Sequence, residues 1–366
     1  MARSSKKRWA KVMVCVGLHA AAGPATSDGS GQTSSEIVAG LLGGCSGYRL
    51  FDVFPGGPTY LVNTSKPIAR ALYPEIDAEL MKLVKSNRIP AFQQGGFIEP
   101  ATSTQGALRL QMAYGELCLN GLHSLGCLIA YDVLNKTGFF APPDLGSLPP
   151  PRQIKADHWQ FQIPMESSGS NTPIQVDVLI QEGQSNGWAG VSVPLKGENP
   201  VTHVSIRLHG RKMKAPLVQF QGITHLVLDS RLCPFPGLEA AKDTVLALAR
   251  RFAKTHQGAF GVIWINPKRN QPTRMDPVVC LTTEPAQFFY EQSCGSGAAA
   301  VGIALADAAR VDGAYRHKII PPSAVALVTS GERSSSRRTF RSVYLEGPVL
   351  LRGIVRAASP GRTGER

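Results

Sequence analysis

Apolar residues along the chain alternate or run together in short stretches separated by Gly and Pro turns, a pattern typical of strands. We expect ordered structure to begin near Gly47, and the Gly56-Gly57 turn predicts a hairpin between the first two strands. Helical spacing predicts helices over residues 75–86, 120–134, 238–255 and 298–309. Strands are predicted over residues 48–53, 59–63, 96–99, 107–112, 173–181, 187–194, 202–208, 216–229, 259–265 and 278–281.

The two halves of the chain repeat one order of elements. In each half a series of strands leads to a cysteine, Cys118 or Cys294, and a buried apolar helix follows at once. The two cysteines are too far apart for a solenoid repeat, and their spacing fits two homologous domains that face each other. The proline-rich stretch at residues 141–152 is the predicted boundary, because consecutive prolines resist both helix and central strand.

The net charge of +13 on 366 residues raises the question of a nucleic-acid partner. Much of this charge lies near the ends of the chain and in a Ser-rich stretch that includes Arg333, without an aromatic-rich basic motif. Clustered charge of this kind is usually a solvated segment, so we expect no nucleic-acid binding.

The cysteine pattern and the N-terminal sequence indicate the cellular compartment of the protein. Seven scattered cysteines without metal or redox spacing predict a reducing, cytoplasmic location and no bound metal. Residues 3–27 run from basic to apolar to small residues, as a signal or transit peptide does; an unstructured extension is the alternative. No stretch reaches the roughly 20 apolar residues of a membrane span, so we expect a soluble protein without a membrane partner.

A cysteine at the start of a helix feels the positive end of the helix dipole and free backbone amides, so its pKa is expected to fall. Two such thiols across one cleft could invert a carbon centre, one abstracting the Cα proton and the other protonating the opposite face. Helix N-termini could bind the substrate carboxylate, and the turn at Gly295, Ser296 and Gly297 permits close approach. Taken alone, each cysteine is more often a buried structural residue.

Three further residues have both a functional and a structural interpretation. His225 either lines the substrate site or is a buried structural histidine. Glu116 and Glu291 precede the two cysteines, where they could tune the thiols or contact substrate. Capping of the helix N-termini or hydrogen bonding to the turn is the simpler role for both glutamates.

Residues 115–121 and 293–297 resemble the two cysteine motifs of the diaminopimelate epimerase family. The Gly56-Gly57 hairpin, Gln94, Glu99-Pro100, and Gly222 with His225 agree with that family in their order along the chain. The resemblance implies an α/β (α+β) fold of two pseudosymmetric domains, each a curled sheet around a central helix. It implies a cofactor-independent amino-acid racemase or epimerase that binds its substrate between the domains. A homodimer is the assembly we consider for this protein.

The resemblance also implies a division of the chain and a set of site residues. Residues 1–45 are a disordered or targeting extension, 46–150 with 345–358 form the first domain, 151–344 form the second, and 359–366 are a flexible tail. In that family the final strand, here near residues 350–356, returns to the first domain. Cys118 and Cys294 are the acid/base pair; the other site residues are Leu119, Asn120, Gly295 and Ser296 at the carboxylate, Gln94 lining the site, and Glu116, His225 and Glu291 as further candidates.

Departures from the family concern the substrate. Met112, Ile223 and Gly261 stand near positions where diaminopimelate epimerase uses asparagines, so diaminopimelate is disfavoured as the substrate. The motifs are closer in style to the histidine racemases of opine metallophore biosynthesis. Diaminopimelate epimerase, a proline-racemase-like or phenazine-isomerase-like enzyme, and a non-enzymatic redox-switch thiol protein remain the alternatives. Leu119 replaces the usual glycine after the first cysteine and would be strained if that position requires a positive φ.

Overall fold

In a computed structural model, which describes residues 32–140, 145, 148–208, 210–252, 259–268, 271–283 and 286–356, one curled sheet surrounds two buried helices. The helices of the described residues are α1 Ser34–Gly43, α2 Tyr73–Lys85, α3 Leu119–Asn135, α4 Leu238–Phe252 and α5 Gly295–Ala308, with a 3₁₀ turn at Arg70–Leu72. None of them combines the length and apolar character that crossing a membrane requires.

The strands fall into two series along the chain. The first series is β1 Tyr48–Phe54, β2 Thr59–Thr64, β3 Gln94–Pro100, β4 Leu108–Met112, β5 Arg152–Lys155, β6 His158–Ser167, β7 Ile174–Gln181 and β8 Asn186–Ser192. The second series is β9 Val201–Leu208, β10 Arg211–Gln219, β11 Ile223–Asp229, β12 Ala259–Asn266, β13 Thr273–Leu281, β14 Gln287–Tyr290, β15 Gly313–Ile320, β16 Leu327–Ser334 and β17 Thr339–Ile354.

Helix α3 is the core of the first half. Its apolar residues, such as Leu122, Leu125 and Ile129, are fully buried, and β2, β4, β6, β7 and β8 pack around it. Strands β6 to β8 therefore belong with α3, so the first half continues to residue 192 and the predicted boundary near residue 150 is wrong. The prolines at residues 141–152 mark a connection inside the first half, part of which lies outside the described residues.

Helix α5 is the equivalent core of the second half. Small residues cover its surface and are buried all round, which allows β9 to β12, β15 and β16 to approach closely. At Gly302 an added Cβ would lie 2.5 Å from Cγ2 of Thr329. The hydroxyl of Thr329 donates a 3.0 Å hydrogen bond to the carbonyl of Ala298, so β16 is tied directly to the helix.

Strand β17 joins the two halves. Its first part pairs with β16 of the second half, and residues from Tyr344 to Ile354 pair with β8 and β1 of the first half. The strand expected near residues 350–356 is the end of this long element. On α3, His123 hydrogen bonds through Nε2 to the carbonyl of Leu345, which anchors the first central helix to the shared strand.

Helix α1 contradicts part of the extension predicted for residues 1–45. Thr33 and Glu36 form a capping box at its start, and Gly44 ends it with a φ of 66°. Ile37 and Leu41 are fully buried in an outer cluster with residues of α2 and β1. The helix was missed because it is short and is stabilised mainly by this tertiary packing. Residues 1–31 and the tail at 359–366 lie outside the described residues.

Other differences concern strands in the second half and the connection that precedes it. The single strand predicted over residues 216–229 is two strands, β10 and β11, because Gly222 turns the chain with a φ of 77°. Strands β5, β6, β14, β15 and β16 were not predicted. Arg333, expected in a solvated basic stretch, is buried on β16, where its guanidinium donates 2.7 Å to Asp307 and 2.8 Å to the carbonyl of Val311.

The packing of β7 on α3 predicts the effect of Gly126→Ala. A Cβ at Gly126 would lie 2.7 Å from Cγ1 of Val176 and 3.2 Å from Cγ2 of Val178. We expect the free energy of unfolding in urea to fall by about 1–3 kcal/mol, as overpacked cores do. Gly43→Ala in α1 is the matched control, because its Cβ would meet Cys45 Sγ at an ordinary 3.8 Å. Equal stability of the two variants would contradict this packing.

Candidate active site

The N-termini of α3 and α5 meet at the centre of the molecule. A Cβ added at Gly295 would lie 3.1 Å from Cβ of Leu119 and 2.8 Å from Oδ1 of Asn120, so only glycine allows this approach. The Asn120 amide donates a 2.8 Å hydrogen bond to the carbonyl of Ser293 and links the two helix starts. Leu119 is the first residue of α3 and is not among the described residues with a positive φ, so it carries no strain of that kind.

Glycines also let other chain segments reach these helix starts. A Cβ at Gly57, in the turn between β1 and β2, would lie 3.2 Å from Cβ of Ser293, next to the second cysteine. A Cβ at Gly222 would lie 2.6 Å from Cα of Gly169, and one at Gly169 would lie 2.7 Å from the amide nitrogen of Leu117. The turn ahead of β11 in the second half therefore stacks on the segment that leads to the first cysteine.

Each thiol is the N-cap of its own helix. Cys118 has φ −123° and ψ 100°, and Cys294 has φ −120° and ψ 101°, so the two halves repeat one local geometry. Sγ of Cys118 accepts from the Gly121 amide at 3.2 Å, and Sγ of Cys294 accepts from the Gly297 amide at 3.3 Å. Because the thiols do the capping, the helix-capping interpretation of Glu116 and Glu291 is wrong, whereas Glu116 has the hydrogen bonds to its own turn, at the backbone of Tyr114 and Glu116, that the other structural interpretation predicts.

The environment of the two thiols changes their expected acidity. Burial raises the pKa of both Cys118 and Cys294, and the nearby charge of Glu291 raises the pKa of both further. Amide donors from the helix starts oppose this shift, but burial is the larger effect on each pKa. The predicted fall in pKa is therefore wrong, because burial raises the pKa of both groups and keeps them as neutral thiols.

A chain of hydrogen bonds connects the two cysteine sites. The Cys118 thiol donates to Oε1 of Gln94 at 3.0 Å, and Nε2 of Gln94 donates to Oε1 of Glu291 at 2.7 Å. Glu291 lies close enough to Cys294 to raise the pKa of its thiol. Gln94 belongs to the first half and Glu291 to the second, so this chain crosses the cleft.

His225 lies behind Ser296 and is not among the residues that line the cleft. Its Nε2 and the Ser296 hydroxyl share a 2.9 Å hydrogen bond, and that hydroxyl lies 3.7 Å from Sγ of Cys294. Burial lowers the pKa of His225 to about 3, so the imidazole is neutral. A Cβ at Gly261 would lie 2.1 Å from its Nδ1, so the absence of a side chain there makes room for the ring. His225 therefore contacts Ser296, which lines the cleft, and does not itself line it.

The helix starts border a small cleft between the halves. Its cavity of about 40 Å³ has room for roughly three water molecules. Cys294 lies beside Ser296 at its edge, with 2% of its surface exposed. The lining includes the predicted site residues Gln94, Glu116, Cys118, Leu119, Asn120, Glu291, Gly295 and Ser296. Among the described residues, no group of three or more His, Cys, Asp or Glu side chains is arranged to hold a metal ion.

Sequence reasoning missed one acidic residue of the cleft, Asp77 on α2. Its signal was present, because Asp77 lies on the same helical stripe as the buried Leu80 and Val84, where an acid is unexpected. Burial raises the pKa of Asp77 to about 7, and it raises the pKa values of Glu116 and Glu291 to about 7 as well. The cleft thus has three carboxyl groups that titrate near neutral pH.

Two solved structures share this fold. A probable proline racemase from Agrobacterium radiobacter K84, solved with bound carbonate, has a TM-score of 0.52 at 12% identity and covers 86% of this chain and 94% of its own. A hydroxyproline epimerase from Agrobacterium vitis, solved with trans-4-hydroxy-L-proline, has a TM-score of 0.55 at 12% identity and covers 84% and 90%. The fold is that of the proline racemase and epimerase class.

Sequence comparison identifies the family. Residues 58–352 match the family described as the histidine racemase CntK N-terminal domain. Two histidine racemases from different strains of Fusobacterium nucleatum subsp. nucleatum are 23% identical over 281 residues and 24% identical over 280, each match covering 76% of this chain and 84% of the relative. The chain therefore belongs to the histidine racemase family of amino-acid isomerases, and the resemblance seen in its two motifs is confirmed.

The raised thiol pKa values predict slow alkylation. At pH 8 we expect iodoacetamide to modify the exposed Cys45 quickly and the buried Cys118 and Cys294 at least 100-fold more slowly, because the thiolate is the nucleophile and the thiol form dominates. Peptide-resolved mass spectrometry of a time course, without substrate, measures all three rates. Cys127, buried and away from the cleft, is the internal control for burial alone. Modification of either cleft cysteine at the rate of Cys45 would contradict this assignment.

The carboxyl pKa values predict a stability change for Asp77→Asn. Because the pKa of Asp77 is raised to about 7, the folded state holds a proton between pH 4 and 7 that the unfolded state has lost, so stability falls as pH rises through this window. Asparagine removes the free-energy cost of ionising a buried carboxyl group. We therefore expect the variant to be more stable than the parent by on the order of 1–3 kcal/mol at pH 8, with a smaller difference at pH 5. Urea unfolding at both pH values tests this.

Glu79→Gln, on the same helix, is the control and should leave the pH dependence of stability unchanged. If Asp77→Asn were more stable than the parent at pH 5 but not at pH 8, the predicted pH dependence of stability would be contradicted.

Proposed function

We propose that this protein racemises histidine through its two thiols without a cofactor. The observation that supports the proposal is the contact between two equivalent helix starts, each capped by a cysteine, Cys118 or Cys294, in matching geometry. Membership of the family and the named activity of the Fusobacterium relatives support the substrate. The thiolate of one cysteine takes the Cα proton, and the thiol of the other gives its proton to the opposite face, so the two exchange protonation states.

The helix starts supply the stabilisation that a weakly acidic Cα hydrogen requires. Backbone amides at Leu119, Asn120, Gly295 and Ser296 lie at the N-termini of α3 and α5, where positive dipole ends favour an anion. Negative charge grows on the substrate carboxylate as the Cα proton leaves, and these amides are the groups that bind it. The Asn120 side chain links the two helix starts, because its amide donates to the carbonyl of Ser293.

Substrate binding also explains how a neutral thiol becomes a base. In the ligand-free cleft the carboxyl groups of Asp77, Glu116 and Glu291 oppose a further negative charge. The substrate ammonium brings a positive charge into this acidic surrounding and lowers the cost of forming a thiolate. Thiolate formation is then coupled to the presence of an amino acid.

Access to the site requires movement of the two halves. Cys118 and Cys294 are only 5% and 2% exposed, so neither thiol is open to a substrate from solvent. The hydrogen bonds from Gln94 to Glu291 and from Asn120 to Ser293 cross the cleft. These contacts must break for the substrate to bind and can re-form once it is enclosed, which excludes water from the reacting thiols.

The test is Cα deuterium exchange. With L-histidine in D2O under reducing conditions, the parent protein should incorporate deuterium at Cα and form D-histidine, measured by NMR and chiral chromatography. Cys118→Ser and Cys294→Ser should each reduce racemisation by on the order of 10²–10⁴-fold, because serine is a far weaker acid than the thiol it replaces. Cys127→Ala, a buried cysteine of the same helix, is the matched control and should retain activity.

Two outcomes would overturn the proposal. Absence of exchange with histidine and with a panel of other L-amino acids would remove the racemase function and favour a redox role for the thiols. Exchange that persists in the double serine variant would remove the two-thiol mechanism.

A further inference from the structure

The cleft has an acidic wall that racemisation at Cα does not itself require. Asp77 of α2 and Glu116, in the turn before α3, both line it, and the electrostatic effect of Asp77 contributes to the raised pKa of Glu116. Among the described residues that line the cleft there is no Lys or Arg. The negative charge of this wall is therefore left without a protein cation to balance it.

The carboxyl oxygens of this wall are poorly satisfied within the protein. Oε2 of Glu116 is buried without a hydrogen-bond partner. The Tyr114 hydroxyl donates to Oδ2 of Asp77 at a long 3.4 Å. Oδ1 of Asp77 lies 2.6 Å from where a Cβ of Gly95 would stand, so only glycine leaves room for this oxygen. Buried polar groups are nearly always paired, so these two carboxyl groups are suited to a ligand that donates hydrogen bonds.

The remaining lining is apolar and partly aromatic. The second half contributes Ile223, Val279, Leu281 and Phe289 to the same cleft. Flat apolar walls with a few fixed polar groups favour a compact ring with polar edges over a long flexible chain. An imidazole has this shape, and its N–H groups are donors that suit carboxylate acceptors.

We propose that Asp77 and Glu116 form the subsite that recognises the substrate side chain and selects an imidazole by accepting its ring N–H. The proposal rests on the racemase function above and adds residues that select the substrate. Hydrogen bonds to a buried carboxylate discriminate strongly against a ring that lacks the donor, because the acceptor is then left unpaired. Gly95 is part of the same subsite, since its missing side chain makes room for Oδ1 of Asp77.

The experiment compares histidine with 2-thienylalanine, whose five-membered ring has no N–H. We would measure kcat/KM for Cα deuterium exchange with both substrates in the parent protein, Asp77→Asn, Glu116→Gln and the control Glu79→Gln. The parent should prefer histidine by at least 100-fold. Each subsite variant should reduce that preference by 10- to 100-fold, mostly by loss of kcat/KM on histidine, and the control should not change it.

The outcomes separate the two proposals. Exchange with no amino acid by the parent would overturn the racemase function itself. Racemisation of histidine with an unchanged preference in both subsite variants would overturn the subsite alone. If a variant does not fold, the parent protein alone still tests the subsite. A preference of the parent for histidine over 2-thienylalanine of less than 10-fold would contradict recognition of the ring N–H.

Discussion

The contact between the first residues of α3 and α5 is the constraint on which the rest of the structure depends. Gly295 has no side chain, and it lies against Leu119 and Asn120 at a distance that any Cβ would prevent. This contact places side by side the starts of two helices from different halves of the chain, each capped by a thiol. The glycines at the β1–β2 turn and at Gly169 and Gly222 serve the same arrangement, because they let neighbouring loops reach the helix starts.

Burial decides the chemistry of this arrangement more than the helix dipoles do. A thiol at a helix start is expected to be acidic, yet Cys118 and Cys294 are so enclosed that burial raises the pKa of each. The three carboxyl groups of the cleft are likewise held at a cost to stability, since burial raises the pKa of each to about 7. Such costs are characteristic of functional sites, where groups are placed for a ligand rather than for the empty protein.

Local pattern predicted most of the elements near the site and few of the long-range partners. Helix α3 was predicted within one residue at each end, because its apolar residues are nearly continuous. Helix α5 begins three residues before its predicted start, since Gly295 and Gly297 suggest a turn while their small size serves the helix contact. The predicted domain boundary was wrong because β6 to β8 pack on α3 through tertiary contacts, which the local sequence pattern does not indicate. Asp77 was missed because the local sequence does not indicate that this face of α2 packs against the cleft.

Strand β17 has a consequence for how the chain folds during synthesis. The sheet around α3 is completed by pairing of β1 and β8 with residues 344–354, which follow the strands and helices of the second half along the chain. The first half therefore cannot close its sheet before β17 has been synthesised, and until then an edge of that sheet stays unpaired. A chain truncated before β17 would leave β1, β8 and β16 each without one neighbouring strand, so the sheets of the two halves are completed by the same element.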